Sequence, residues 1–146
     1  MPKFEREMTI DAPVEKVWEV ITDPIHWSEW FPGVDSVSNV TSITEGSSFE
    51  WTLDDRTGRG TITKMEPPKR LEIMTQMGDD KDAHAFRLRP TGGLLGLSQD
   101  ECKVKYTLDT LMGGGIVARF VAGGNPKDAL RVKKAMHRLR RVVEGT

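Results

Sequence analysis

His84 and Tyr106 are the side chains of this chain with the most scope for chemistry. His84 keeps step with Phe86 and Leu88, and Tyr106 keeps step with Cys102, Val104 and Leu108, so each is a polar group on an otherwise apolar strand face. An imidazole and a phenol held in an apolar interior can orient the polar group of a ligand or exchange a proton with it. A competing reading leaves His84 partly exposed at a strand end near a turn, and gives Tyr106 a hydroxyl that reaches solvent or a backbone carbonyl. Other chemistries lack their residues. His26, His84 and His137 stand apart, with no histidine or cysteine partner at ligand spacing, so no metal site is expected. No Gly-x-Ser-x-Gly nucleophile motif occurs. Gly92, Gly93 and Gly96 do not follow a strand and open a helix, as a dinucleotide loop must. The expectation is a protein without a cofactor. The single cysteine, Cys102, cannot form an intramolecular disulfide and reads as a small buried apolar residue.

The elements that must position these groups are legible from periodicity. Phe4, Arg6, Met8 and Ile10 alternate with Glu5, Glu7 and Thr9, which predicts a first strand over residues 3 to 10. Pro13 is placed at the first helical position, and Val14, Val17, Trp18 and Ile21 recur on one face of a helix of about three turns. Asp23 and Pro24 end that helix, and His26 to Phe31, closed by Pro32 and Gly33, reads as a second short helical turn. From Val34 to Thr110 the pattern becomes a run of half-buried antiparallel strands, with alternating segments around Phe49 to Leu53, Leu71 to Ile73, Phe86 to Leu88 and Cys102 to Leu108. Turns are expected at Asp54 to Gly60, Pro67–Pro68, Gly78 to Asp82 and Thr91 to Asp100. Between glycine clusters, Ile116 to Ala122 reads as a short helical piece. Asn125 as N-cap and Pro126 at the first position then open a long terminal helix, with Ala129, Val132, Met136, Leu139 and Val143 on one face.

With 146 residues, no internal repeat and no dividing linker, residues 1 to 146 are expected to form a single domain. The first residues carry Lys3, Glu5 and Arg6 with no long apolar run behind them, which points to the cytoplasm. From Pro126 onward seven basic residues face two acidic ones, although the whole chain carries a formal charge of −1. Lys127, Arg131, Lys134, Arg138 and Arg141 form a stripe opposite the apolar face of the last helix. That stripe reads as a solvated helix back, or as a contact for an anionic membrane surface. Nucleic acid is disfavoured, because the chain is slightly acidic and no aromatic residue interleaves the stripe.

The order of elements, one strand, two short helices, about six antiparallel strands and one long helix, gives a specific resemblance. Ile10, Ala12, Pro13, Val17, Trp18, Asp23, Pro24, Trp27, Trp30, Phe31 and Pro32, followed by Glu66, Pro67, Pro68, Arg70 and Leu71, resemble the polyketide cyclase and dehydrase branch of the START or Bet v 1 (SRPBCC) superfamily. The resemblance implies an α+β helix-grip fold: a curved seven-stranded antiparallel sheet wrapped around the C-terminal helix, with a mostly apolar cavity between them. Gly58 and Gly60 only faintly echo the glycine-rich loop of the plant hormone-binding branch.

In such a cavity Phe49, Trp51, Met112 and Met136 would form an adaptable apolar wall, against the alternative of ordinary core packing. Trp27, Trp30 and Phe31 would form an aromatic lip at the entrance, or else staple the short helices to the sheet. The implied ligand-contacting set is Trp27, Phe49, Trp51, His84, Phe86, Tyr106, Met112 and Met136. Three functions fit the resemblance. The leading one is binding of a small hydrophobic ligand such as a lipid, polyketide or quinone. The second is a cyclase or dehydratase with His84 as acid or base, and the third is an interaction protein of the co-chaperone or coenzyme Q-binding kind. The fold hosts all three.

Overall fold

Alternation of apolar and polar residues turns most of this chain into one antiparallel sheet. The computed structural model describes residues 3–31, 34–38, 43–53, 55–78, 80–91, 101–110 and 126–145. The strands are β1 (Lys3–Ile10), β2 (Ser36–Ser38), β3 (Ser48–Leu53), β4 (Arg56–Glu66), β5 (Arg70–Met77), β6 (Asp80–Thr91) and β7 (Glu101–Thr110). They lie in the order β1-β7-β6-β5-β4-β3-β2. The first strand thus pairs with the last, while β2 to β7 follow one another as a meander. A register irregularity between Ile62 and Lys64 interrupts the β4–β5 ladder. Irregularities of this kind bend a strand and increase its twist, as a curved sheet requires.

Between β1 and β2 lie α1 (Val14–Ile21), a single 3-10 turn (Pro24–His26) and α2 (Trp27–Trp30). Pro13 stands one residue earlier than its sequence suggested. With φ −65° and ψ 156° it is the N-cap, and its carbonyl accepts the backbone N–H groups of Lys16 and Val17. The proline ring fixes φ alone, so ψ is free to turn the chain out of the strand before the helix begins. The buried stripe of α1 is Val14, Val17, Val20 and Ile21, whereas Trp18 is only half-buried at its margin.

The terminal helix, α3 (Pro126–Glu144), has 19 residues. At 1.5 Å per residue it is about 28 Å long. Val132, Ala135, Met136, Leu139 and Val143 are buried, and α3 packs on β1, β7, α1 and α2. This is the helix-grip arrangement, with one face of the sheet turned to the helices and the other to solvent. The Asp11 backbone N–H donates to Glu144 Oε2 at 2.9 Å, tying the end of α3 to the turn before α1. Asn125, Ile116 to Ala122 and the Thr91 to Asp100 connection beyond Thr91 lie outside the described residues, apart from Asp100's neighbour Glu101, where β7 starts.

Two expected turns are shorter than the sequence implied. Leu53 pairs with Arg56, so only residues 54 and 55 connect β3 to β4, with Asp55 at φ 65°. Gly58 and Gly60 therefore belong to β4. Ideal Cβ atoms on them would stand 2.6 Å from Trp51 Cε2 and 2.1 Å from Phe49 Cζ. These glycines are seats for cross-strand aromatic rings. Likewise Met77 pairs with Asp80, so the second hairpin turns within residues 78 and 79, and Asp82 is a strand residue.

Candidate functional site

The ladder registers of β5, β6 and β7 lay the helix-facing side chains out in three rows. Leu71, Phe86 and Tyr106 form one, Ile73, His84 and Leu108 the next, and Thr75, Asp82 and Thr110 the third. His84 is therefore one row from Tyr106 on one side and from Thr75 on the other. Diagonal neighbours of this kind are within reach of long and aromatic side chains. The contacts form: His84 Nδ1 lies 2.7 Å from the Tyr106 hydroxyl, and His84 Nε2 lies 2.9 Å from Thr75 Oγ1. A neutral imidazole offers one N–H and one acceptor, and each hydroxyl can act in either sense, so the chain Tyr106–His84–Thr75 can be written in both directions.

The chain is set in an apolar, aromatic surround. His84 is 1% exposed and Tyr106 is 0% exposed, which rules out the strand-end reading of the histidine. The physical reason is that β6 begins at Asp80, four residues before His84, rather than close beside it. Phe86 stacks on Tyr106 with ring centroids 4.6 Å apart, and Phe31 closes over His84 at 4.9 Å. Polar groups buried in such a place cost stability unless they are hydrogen-bonded. Here two hydrogen bonds hold the imidazole by both nitrogens and so fix its plane.

The remaining aromatic candidates are placed as follows. Trp27 is fully buried, packs edge-on against Phe49 at 4.8 Å, and donates its indole N–H to the Ile21 carbonyl at 2.9 Å. Trp30 and Phe31 are also buried, and Trp30 meets Phe86 edge-on. These three rings staple α2 to the sheet and do not form an exposed lip. They come from the turn that α2 makes, which points successive aromatic residues inward. Phe49 and Trp51 are buried over Gly60 and Gly58, and Met136 is buried on α3. Met112 lies outside the described residues. The indole N–H groups of Trp30 and Trp51 are buried with no hydrogen-bond partner.

Sequence reasoning missed Thr75, Asp82 and Thr110. Asp82 is two residues before His84 and therefore shares its face, half-buried between two buried threonines. Counting back by two from His84 was the available signal, and the overlong turn assigned to Gly78–Asp82 obscured it. Burial pushes the Cys102 thiol up to about 11, so it stays protonated and is no nucleophile at neutral pH. Among the described residues no group of three His, Cys, Asp or Glu side chains is arranged to hold a metal ion. Among them, too, no helix is long and apolar enough to cross a membrane.

A family model described as polyketide cyclase / dehydrase and lipid transport matches residues 1–144. Among solved structures, DynU16, a protein of the dynemicin biosynthetic locus, superposes with a TM-score of 0.69 at 22% identity, over 99% of this chain and 48% of DynU16. This chain thus spans about half the length of that protein. MLL2253 from Mesorhizobium loti superposes with a TM-score of 0.75 at 17% identity, covering 99% of this chain and 98% of that one. A START superfamily protein from Mycobacterium smegmatis gives 0.66 at 13% identity, covering 98% and 94%. No curated protein sequence matches. At these identities the structural likenesses establish the fold.

Proposed function

Because this chain belongs to the polyketide cyclase / dehydrase and lipid-transport family, we propose that it binds a small, largely apolar ligand against the helix-facing side of the sheet. In this reading Tyr106–His84–Thr75 fixes the ligand's polar group. The observation that carries the reading is that hydrogen-bonded chain, buried among aromatic rings. The unpartnered indole N–H groups of Trp30 and Trp51 support it, since buried donors without acceptors are rare. A ligand bearing a carbonyl or ether oxygen would give them an acceptor. The test is organic extraction of natively purified protein followed by mass spectrometry, with a titration of fluorescent fatty acid and naphthoquinone probes. About one equivalent of an apolar molecule, or saturable probe binding weakened in Tyr106→Phe, is the expected result. An empty extract together with no saturable binding of either probe refutes it.

A second reading is enzymatic, a cyclase or dehydratase with His84 as acid or base. Asp82, on the same strand face as His84, favours it, because a nearby carboxylate stabilises a transient imidazolium. Its signature is turnover of a poly-β-ketothioester analogue that His84→Gln abolishes while binding survives. Loading from an anionic membrane in the cytoplasm would use the basic side of α3. Lys134, Arg138 and Arg141 are exposed there, and Leu130 is 49% exposed one turn from Lys134. The side chains of Lys127 and Arg131 lie outside the described residues. Co-sedimentation with phosphatidylserine vesicles, lost in a Lys134→Glu/Arg138→Glu variant, tests that step.

A further inference from the structure

The face of the sheet turned away from the helices carries a groove of about 440 Å³. Ala83 and Ala85 on β6 form its floor, and longer side chains on β5, β7 and β1 form its walls. Strands on either side of a central one are about 9–10 Å apart, so the groove admits a slim molecule lying along β6.

Its charges are placed by register. Lys105, Arg87 and Arg70 stand side by side across β7, β6 and β5, with Glu7 on β1 and Glu66 on β4 at the two ends of the row. The next row carries Glu5, Thr107, Ala85, Glu72 and Lys64, and the far row has Asp109. Lys105 is paired with Glu5 at 3.9 Å, and Arg70 with Glu72 and, at 3.7 Å, with Glu66. Arg87, exposed and between two cations, has no ion-pair partner among the described residues. The Arg70 Nε–H is buried with no hydrogen-bond partner, and so are Oε2 of Glu72, which is ion-paired with Arg70, and Oδ1 of Asp109 in the far row. Like charges directly opposite on a ladder are unfavourable, and Arg87 has one on each side. Two alanines at successive outward positions of a central strand also forgo packing and strand propensity. Local choices that cost stability without a compensating contact mark functional sites.

We propose that this outer groove binds a slim organic oxyanion. Arg87 and the Arg70 Nε–H hold its carboxylate or phosphate, and its body lies over Ala85 and Ala83. Guanidinium groups suit this task because their planar donors match both oxyanions. The acids of the next row limit the occupant to one anionic end. The site is separate from the helix-facing chain around His84, so the two proposals stand or fall independently.

The test is titration of isotope-labelled protein, followed by amide resonances, with phenyl phosphate and benzoate and with benzyl alcohol as the neutral control. The expected result is saturable shifts at Ala83, Ala85 and Arg87 with the anions and none with the alcohol. Arg87→Gln should weaken binding tenfold or more, and Ala85→Leu, which fills the floor, should abolish it. Neither should lower the thermal midpoint, and Arg87→Gln should raise it, as no merely structural arginine would. Phosphatidate vesicles distinguish the source of the anion: Arg87-dependent vesicle binding tighter than that of phenyl phosphate identifies a lipid headgroup, and its absence a free anion. Shifts that persist in Arg87→Gln or Ala85→Leu, an equal response to benzyl alcohol, or no anion response up to about 10 mM with no vesicle binding overturn the proposal. So does a lowered midpoint in Arg87→Gln.

Discussion

Gly60→Ala is the sharpest probe of how the helix-facing side of the sheet is packed. The added methyl would lie 2.1, 2.5 and 2.6 Å from three ring carbons of Phe49, where ordinary contact begins at 3.4 Å. The ring must therefore retreat by more than about 1 Å. It has little room to do so. Phe49 is 2% exposed and packs edge-on against Trp27, which is itself held by its hydrogen bond to the Ile21 carbonyl. Overpacking of this kind costs about 1–3 kcal/mol, and weakening the aromatic pair adds about 0.5–1.5 kcal/mol. The smaller entropy of an unfolded chain with alanine returns about 0.4–1 kcal/mol. The net expectation is a loss of about 2–3 kcal/mol, or roughly 6–10 °C in thermal midpoint for a domain of this size. Urea denaturation followed by circular dichroism should show a lowered midpoint with an unchanged slope. Phe49→Leu in the Gly60→Ala background should recover part of the loss, since it removes the ring atoms that clash. A Gly60→Ala protein within about 0.5 kcal/mol of the parent, or a double variant no better than the single one, would refute the reasoning.

Three further outcomes are expected. Tyr106→Phe removes the 2.7 Å bond to His84 and should cost about 1–3 kcal/mol by urea denaturation, with the far-ultraviolet spectrum unchanged. The Cys102 thiol, raised from 9.0 to about 11, is protonated in the folded chain while the unfolded chain ionises. Stability should therefore fall from pH 9 to pH 11 by up to about 1.4 kcal/mol per pH unit more than in Cys102→Ala. Equal slopes for the two proteins would exclude the effect. The Glu144 carboxyl is held below its usual range, first by the Asp11 N–H. Its contribution is present at neutral pH and lost as pH falls through its lowered value, so Glu144→Gln should cost under about 1 kcal/mol at pH 7 and nothing in strong acid.

The parts of the site that were legible in the sequence are those set by a period of two. Once His84, Phe86 and Leu88 are in step, their common face follows from strand geometry, and the same holds for Cys102 through Leu108. Register is another matter. The bond from His84 to Thr75 depends on which residue of β5 stands opposite which residue of β6, and the run Gly78 to Asp82 allowed several turn lengths. The two-residue turn that forms brings Asp82 and Thr75 into one row, and no local pattern encodes that. Gly58 and Gly60 show the same limit. A glycine beneath a ring and a glycine in a turn look alike until the pairing of Phe49 with Gly60 is known. Trp27 was ambiguous for a different reason, because four residues of α2 are too few to set a face by periodicity.

β6 shows why register matters for function as well as for fold. His84 and Asp82 point to the helices, while Ala83, Ala85 and Arg87 point to the opposite face, so one strand serves the aromatic interior and the outer groove. A slip of one residue would exchange the two sets, putting Arg87 into the core and His84 into solvent. Desolvating an unpaired guanidinium costs far more than burying a hydrogen-bonded imidazole, so the polar composition that marks both sites also locks the register. The paired cations and acids of the outer face add little by themselves, being half-exposed. Arg87 is the exception: its ladder neighbours Arg70 and Lys105 are both cations, whereas Glu66 and Glu7 close that row at its two ends and Lys64 stands beside Glu72 in the next.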